Sequence, residues 1–529
     1  MEEIKLQNYR TRYIVPFSYE KEEASYEAIY EGLCGSEEWA LAELRAGEQD
    51  IYDYILDAFA TKENKSNVAS AWNYERKDKK GRILQLAWRL PKRDKEILVE
   101  IREAGLFLFR SGIGLFWFEP VFPKNQLTLD EMVLFQNRFK ELNRGDNVLS
   151  FYQIVDDSMR VDVEEGQTTL EQNPEGIDQC VNFSLIGREG SRQLKFWACK
   201  KFTMGNWIAR LLGTLPCPVR FYPERKNCYP NAAHMVPEDY PAMVPDKAIL
   251  FHYVVMAEQE TTKEDLLHAA FYLTNGYKNS YMMVQEIESQ MYKPFENAYW
   301  NVTRGGCGYY VRCREENQAF YTGDMQSKVI RDYFLLYILL LYQSYTLLYY
   351  SEKLQAVLSA DTREYLEDVA YTDILEKMST EINGFLVKSV YASVSHIHHQ
   401  NGFYEYAENV LGIKADIQSI TIGLDSLEEL QKMKLHEQET KNEKEVEEMR
   451  QQRDNRLNLG LGALALLAIF SAFVDGYELC RIVLEHFEIG GMYRVILYGV
   501  MSLLVAGVAF YAIKNFCVSY MENRKDRNR

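Results

Sequence analysis

The side chains of this chain with the most suggestive chemistry lie near its C-terminus. Asp475 and Glu478 directly follow an apolar stretch. Repeated around a symmetric oligomer, they would form rings of carboxylates that hold hydrated cations by charge. An ordinary acidic loop obeying the charge rules of membrane topology is the competing reading. Within the apolar stretch stand Asn458, Gly460, Gly462 and Ser471. Small residues let helices approach closely, and a polar side chain in an apolar helix turns toward a wet interior, so these four are candidates to line a pore. The alternative is glycine-mediated packing against a neighbouring helix, with Asn458 at the interface.

Other constellations carry less. His396, His398 and His399 resemble metal ligands, but no carboxylate or cysteine follows at helical ligand spacing and Asn401-Gly402 marks a turn, so a polar helix end is favoured and no metal is assigned. Gly305-Gly306-Cys307-Gly308 and Gly112-Ile113-Gly114 do not have the spacing of a nucleotide loop and read as turns or bulges. Arg304 and Arg312 flank the first of these and are the candidates for phosphate contact, should a ligand bind there. No triad, paired-carboxylate spacing or zinc-type cysteine pattern stands out, which argues against an enzyme and against a resident cofactor.

These candidates must be positioned by two apolar stretches, 457–474 and 495–513. At a helical rise of about 1.5 Å per residue they reach about 27 and 28 Å, close to the hydrocarbon thickness of a bilayer. Arg450, Arg453 and Arg456 precede the first; Lys514, Arg524, Lys525, Arg527 and Arg529 follow the second. The acidic loop expected between them, Asp475 to Met492, carries one arginine, Arg481. The Lys/Arg bias predicts a two-span protein of the inner membrane with both termini cytoplasmic. The N-terminus, MEEIKLQNYR, lacks a basic-then-apolar signal, and nine dispersed cysteines fit a reducing compartment. A net charge of −17 argues against direct nucleic-acid binding.

Along the chain, residues 1–326 read as a mixed α/β sensing domain. Helical periodicity covers 21–60, two strands meet at Ser111-Gly112, and Thr128/Glu131 form a capping box opening a helix over 128–144. A hairpin turns at 187–190, a helix follows over 202–215, and 248–257 is an apolar buried strand. The proline-rich segment 216–245 is expected to be irregular. Residues 327–456 read as a helical bundle and stalk; in it 327–354 is a buried core helix, with a third membrane span as the alternative, and 415–456 is a charged helix with a weak coiled-coil seam at Leu435 and Met449. A basic cytosolic tail, 514–529, ends the chain.

This order of parts resembles the CorA family of divalent-cation channels. The likeness is carried by YFLLYILLLYQSYTLLYYSEKL (333–354), FYEYAENVLGIKADIQSI (403–420) and AIFSAFVDGYEL (468–479). The resemblance implies an α+β cytosolic domain, a long helical stalk and a two-helix C-terminal transmembrane hairpin. It also implies a homo-oligomer, a pentamer in that family, with Mg2+ or another divalent cation as the permeant or regulatory ion. The family's Gly-Met-Asn is replaced here by Asp475-Gly476-Tyr477; a Gly491-Met492-Tyr493 sits instead against the second span. That departure is shared with CorA-like effectors of type III CRISPR defence, which implies a small nucleotide ligand as an alternative gating signal. A membrane-anchored binding protein without a pore is the remaining alternative.

Overall fold

The computed structural model describes residues 4–20, 25–36, 38–44, 50–61, 68–74, 84–89, 96–121, 127–143, 149–154, 180–187, 190–227, 242–276, 283–359, 369–486 and 491–526. The chain divides into two units, Met1–Asp425 and Ser426–Arg529.

Unit 1 is α+β, built on one large mixed sheet. Its main path uses eleven strands: β1 (Lys5–Tyr19), β2 (Leu84–Arg89), β3 (Glu96–Phe109), β4 (Ile113–Val121), β5 (Leu149–Ile154), β6 (Cys180–Gly187), β7 (Gly190–Phe202), β8 (Ile249–Ala257), β9 (Tyr292–Phe295), β10 (Ala298–Thr303) and β11 (Gly306–Cys313). The spatial order is β9-β10-β11-β8-β1-β4-β3-β2-β5-β7-β6. β8 pairs in parallel with β11 and antiparallel with β1. The first strand is thus central: Ile14 lies between Ile249 and Trp117. Sequence patterning hides this strand because Pro16 interrupts it, and proline lacks the N–H a ladder needs. Here the Pro16 carbonyl still accepts a bond from the Tyr222 N–H, at 3.0 Å.

Local signals elsewhere fall where expected. Gly112 closes the β3–β4 turn at φ 97°, a left-handed conformation that glycine adopts without a Cβ clash. The Thr128/Glu131 capping box opens α1 (Leu129–Lys140). α2 (Met204–Leu212) follows β7, and a second capping box, Thr262/Asp265, opens α3 (Lys263–Asn275). The helical reading of 21–60 is too long: a helix covers Tyr26–Cys34, a strand covers Trp39–Leu41, and a single turn covers Asp53–Leu56. Ser25 caps that first helix and Gly35 follows its last residue, so it stops early. Within 216–245, Glu224–Lys226 and Met243–Pro245 form a two-stranded ribbon; 228–241 lies outside the described residues.

The period-two alternation of β3 and β4 sends neighbouring rings to opposite faces. Phe116 and Phe118 meet Trp207 of α2 on one face, with centroids 5.7 and 6.0 Å apart. Trp117 meets Phe334 on the other, at 5.4 Å. Phe334 begins α4 (Phe334–Ser359), which lies along the sheet; Tyr342 stacks on Phe109 with centroids 3.7 Å apart. α5 (Val369–Ser389) and α6 (His398–Leu411) cover α4, with Phe385 5.6 Å from Tyr342. These helices belong to the same compact unit as the sheet. Asn401 and Gly402 are interior to α6 rather than a turn; the Asn401 side-chain Oδ1 accepts from the Val394 and Ser395 N–H groups.

α7 runs unbroken from Ile413 to His486 and therefore crosses the division between units, and α8 runs from Gly491 to Asp526. Gly423 of α7 packs tightly on Leu354, where a Cβ would meet Leu354 Cδ2. The loop expected over Asp475–Met492 is largely helix. As far as His486 the segment continues α7: it has no proline, and Arg481 and Glu485 pair one turn apart at 3.3 Å; 487–490 lies outside the described residues.

Candidate functional site

Unit 2 consists of the greater part of α7 and all of α8, and burial distinguishes their faces. Gly462, Leu466 and Gly476 of α7 are half-buried, as are Arg494, Tyr498, Met501 and Ala509 of α8. At 3.6 residues per turn each set falls within an arc of about 80°. These are the facing seams, and the rings of Tyr477 and Tyr498 lie 5.5 Å apart beside them. The glycines lack side chains at the seam, which is the close-approach role of small residues in membrane helices.

On the opposite side of α7 a second arc of about 80° collects Gly460, Leu464, Leu467, Ser471, Asp475 and Glu478. All six are exposed. The candidate residues therefore separate. Gly460 and Ser471 share a face with the two carboxylates, whereas Gly462 sits in the seam and Asn458 lies on the seam's side of the helix. Asp475 and Glu478 form no ion pair among the described residues, since Arg481 is engaged by Glu485. They lie on helix rather than in a loop, so their spacing is set by the helical repeat. The outer face of α8 differs: Val500, Leu503, Leu504, Gly507, Val508 and Tyr511 line an apolar groove.

The arginines proposed for phosphate contact are not brought together. Arg304 is exposed in the turn between β10 and β11, while Arg312 is near the far end of β11. Arg312 is held by Glu258 at 3.3 Å and donates to the Thr261 carbonyl at 3.1 Å. The glycines beside Arg304 make a simple hairpin turn, in which the Gly305 N–H donates to Thr303 Oγ1. Among the described residues no three His, Cys, Asp or Glu side chains gather to hold a metal. His399 Nδ1 instead meets the Tyr333 hydroxyl at 2.5 Å, and His396 packs edge-on against Tyr52.

Two buried polar groups of unit 1 escaped sequence reasoning. Arg10 and Arg12 of β1 reach Glu119 of β4 at 2.5 and 3.0 Å. Burial disfavours the Glu119 carboxylate, but Arg12 and Arg10 outweigh it and hold its pKa below the usual range. His252 of β8 is fully buried beside Thr11 and Gln136, each at 3.0 Å from Nδ1. Burial first, and Lys140 second, depress its pKa from 6.5 to about 3, so the ring is neutral. The available signal was a charge inside an aromatic strand: Glu119 ends the apolar run GIGLFWFE, and Arg10 and Arg12 alternate with Tyr9, Thr11 and Tyr13.

Comparison with family models, curated proteins and solved structures finds no match for this chain.

Proposed function

We propose that this chain forms a CorA-like, homo-oligomeric membrane channel for divalent cations of the Mg2+ type, gated by its α+β unit. The supporting observation is the unequal surface of the helix pair. The exposed side of α8 is apolar along its groove and suits lipid, but the exposed side of α7 carries Ser471, Asp475 and Glu478. Carboxylates are costly against hydrocarbon, so that face meets other copies of the chain around water. Repeated by symmetry, Asp475 and Glu478 attract cations at the mouth, Leu464 and Leu467 form an apolar constriction that closes by excluding water, and Gly460 widens the cytosolic end. α8 then faces the bilayer, and both termini are cytoplasmic at the inner membrane. The stoichiometry is the family's five.

The test is flux of Mg2+ and Co2+ into proteoliposomes carrying the purified oligomer. Metal entry that falls about tenfold in the double variant Asp475→Asn/Glu478→Gln, and rises in Leu467→Ser, is the expected result. Well-folded oligomers that pass neither metal, in the wild type and in Leu467→Ser alike, overturn it and leave a membrane anchor.

A further inference from the structure

Lys140 is the last residue of α1 and is half-buried between segments far apart in the chain. Its carbonyl accepts from the Ala248 N–H at 2.9 Å, and Glu141 bridges antiparallel to Lys247. The end of α1 therefore runs beside the entry to β8. The ammonium reaches across to the β10–β11 turn, where a Cβ on Gly305 would stand 2.9 Å from Lys140 Nζ. Glycine at 305 leaves the space that this ammonium occupies. Three cationic residues are thus gathered at one corner of unit 1: Lys140, Lys247 beside it and Arg304 in the turn, the last two exposed.

The chain is acidic, with 77 Asp and Glu against 60 Lys and Arg, so carboxylates are plentiful. Other cations of unit 1 find one: Arg312 and Arg314 hold Glu258, and Lys328 holds Asp50. The three at this corner do not. Among the described residues no hydrogen bond or ion pair engages the side chain of Lys140, Lys247 or Arg304. Asp246, next to Lys247, is taken by Arg225 at 3.6 Å. Burial first and Lys247 second lower the Lys140 pKa, and Glu141 offsets them only in part. A half-buried ammonium beside a second cation is costly without a counter-ion, and an anion from solution relieves that cost.

We propose that this corner is an oxyanion site that takes a soluble phosphate group, held by Lys140 with Lys247 and Arg304 around it. A phosphate group carries about two negative charges and three strong acceptor oxygens near neutral pH, enough for three separate cations. The lysines hold it as point charges, and the arginine can fork onto two of its oxygens. The Gly305 N–H takes no part, because it donates to Thr303 Oγ1 at 3.2 Å. The site is therefore made by side chains, unlike a glycine-rich nucleotide loop. A bound phosphate would tie the end of α1 to the entry of β8 and to the β10–β11 turn. The proposal is independent of whether unit 2 conducts ions.

The experiment is calorimetric titration of the full chain in detergent, at constant ionic strength, with inorganic phosphate and glycerol 3-phosphate, and with acetate as the monovalent control. The expected result is one site per chain, with acetate at least about tenfold weaker than either phosphate. The tighter of the two phosphates tells whether the occupant is the free ion or an ester. Lys140→Met keeps the stem and removes the charge, and should weaken binding by about tenfold or more. Its melting temperature without ligand should equal or exceed that of wild type, since no internal partner is lost. Gly305→Ala, which displaces the flexible end of Lys140, should also weaken binding although it removes no cation. No saturable heat from either phosphate, acetate bound as tightly, or wild-type affinity in Lys140→Met would each overturn the assignment. So would a lowered melting temperature in Lys140→Met, which would reveal an internal partner for the ammonium.

Discussion

Among the described residues, three helical segments are long and apolar enough to cross a membrane, yet they differ in what covers them. In Glu315–Ala356, 78% of the most apolar window is buried inside the protein, whereas the windows in Glu439–Val483 and Gly491–Asn515 are 0% buried. Mean hydropathy already separates them, at 1.2 for the first against 2.2 for each of the other two. Polar partners and ring contacts show why. In the first segment Asp332, Gln343 and Thr346 are fully buried, and each has an internal partner. Gln343 donates to the Ser389 carbonyl and to the Tyr404 hydroxyl, and Thr346 meets Ser111 at 3.2 Å. Its aromatic residues meet rings of the sheet, Tyr342 stacked on Phe109 and Phe334 tilted or edge-on against Phe107 and Trp117. The C-terminal helices have no such surface to meet. Leu464, Leu467, Leu503 and Phe510 are 63–74% exposed, and lipid or another copy of the chain must cover them. The first segment is therefore packed as a core helix of unit 1, and the other two are the helices long and apolar enough to serve as the spans of the proposed channel.

One substitution placed in both regions breaks this comparison most directly. Leu336→Arg puts an unpaired charge at a fully buried site of α4 and should cost more than about 4 kcal/mol, enough to prevent folding. Denaturant unfolding of the purified protein, or its loss to aggregation, is the measurement. Leu503→Arg on α8 should leave unit 1 folded but cost about 2.5–3.5 kcal/mol of membrane insertion, read as loss of carbonate-resistant membrane association. If Leu336→Arg instead leaves the fold intact and alters only membrane association, α4 is a span.

A third test uses pH and reaches only unit 1. Because His252 has a depressed pKa when folded, the unfolded chain binds the proton more readily. Its contribution is full above pH 6.5 and is lost as pH falls from there toward about 3, by about 1.4 kcal/mol per unit. Glu119, also depressed, adds a loss that begins as pH falls through the usual carboxylate range and continues down to its lowered pKa. Urea melts between pH 7 and 5 should show that slope in wild type and lose most of it in His252→Gln. An unchanged slope would place the acid sensitivity elsewhere.

The smallest effect sharpens the polar side of the argument. Tyr342→Phe keeps the ring that stacks on Phe109 and removes the hydroxyl, which bonds Ser389 at 3.1 Å and also meets Ser111 and Thr346. It should cost about 1 kcal/mol, read as a shift in the denaturation midpoint without change of slope. A loss several times larger would mean that the hydroxyl anchors more than one helix.

Much of this protein is determined by patterns that reach only a few residues along the chain. The two long apolar helices at the C-terminus follow from uninterrupted apolar runs, the capping boxes at Thr128 and Thr262 from side chains three residues ahead, and the β3–β4 turn from Ser111-Gly112. Such signals are legible because the interacting groups are neighbours in sequence as well as in space. What only the tertiary structure decided depends on partners far away in the chain. Arg12 meets Ile330 across 318 positions, and β1 gains its central place from strands that follow it by about a hundred residues and more. The division of Gly460 from Gly462 is of the same kind. Two small residues two positions apart on a helix look alike in sequence, and only the position of α8 makes one a seam and leaves the other on the face with the carboxylates.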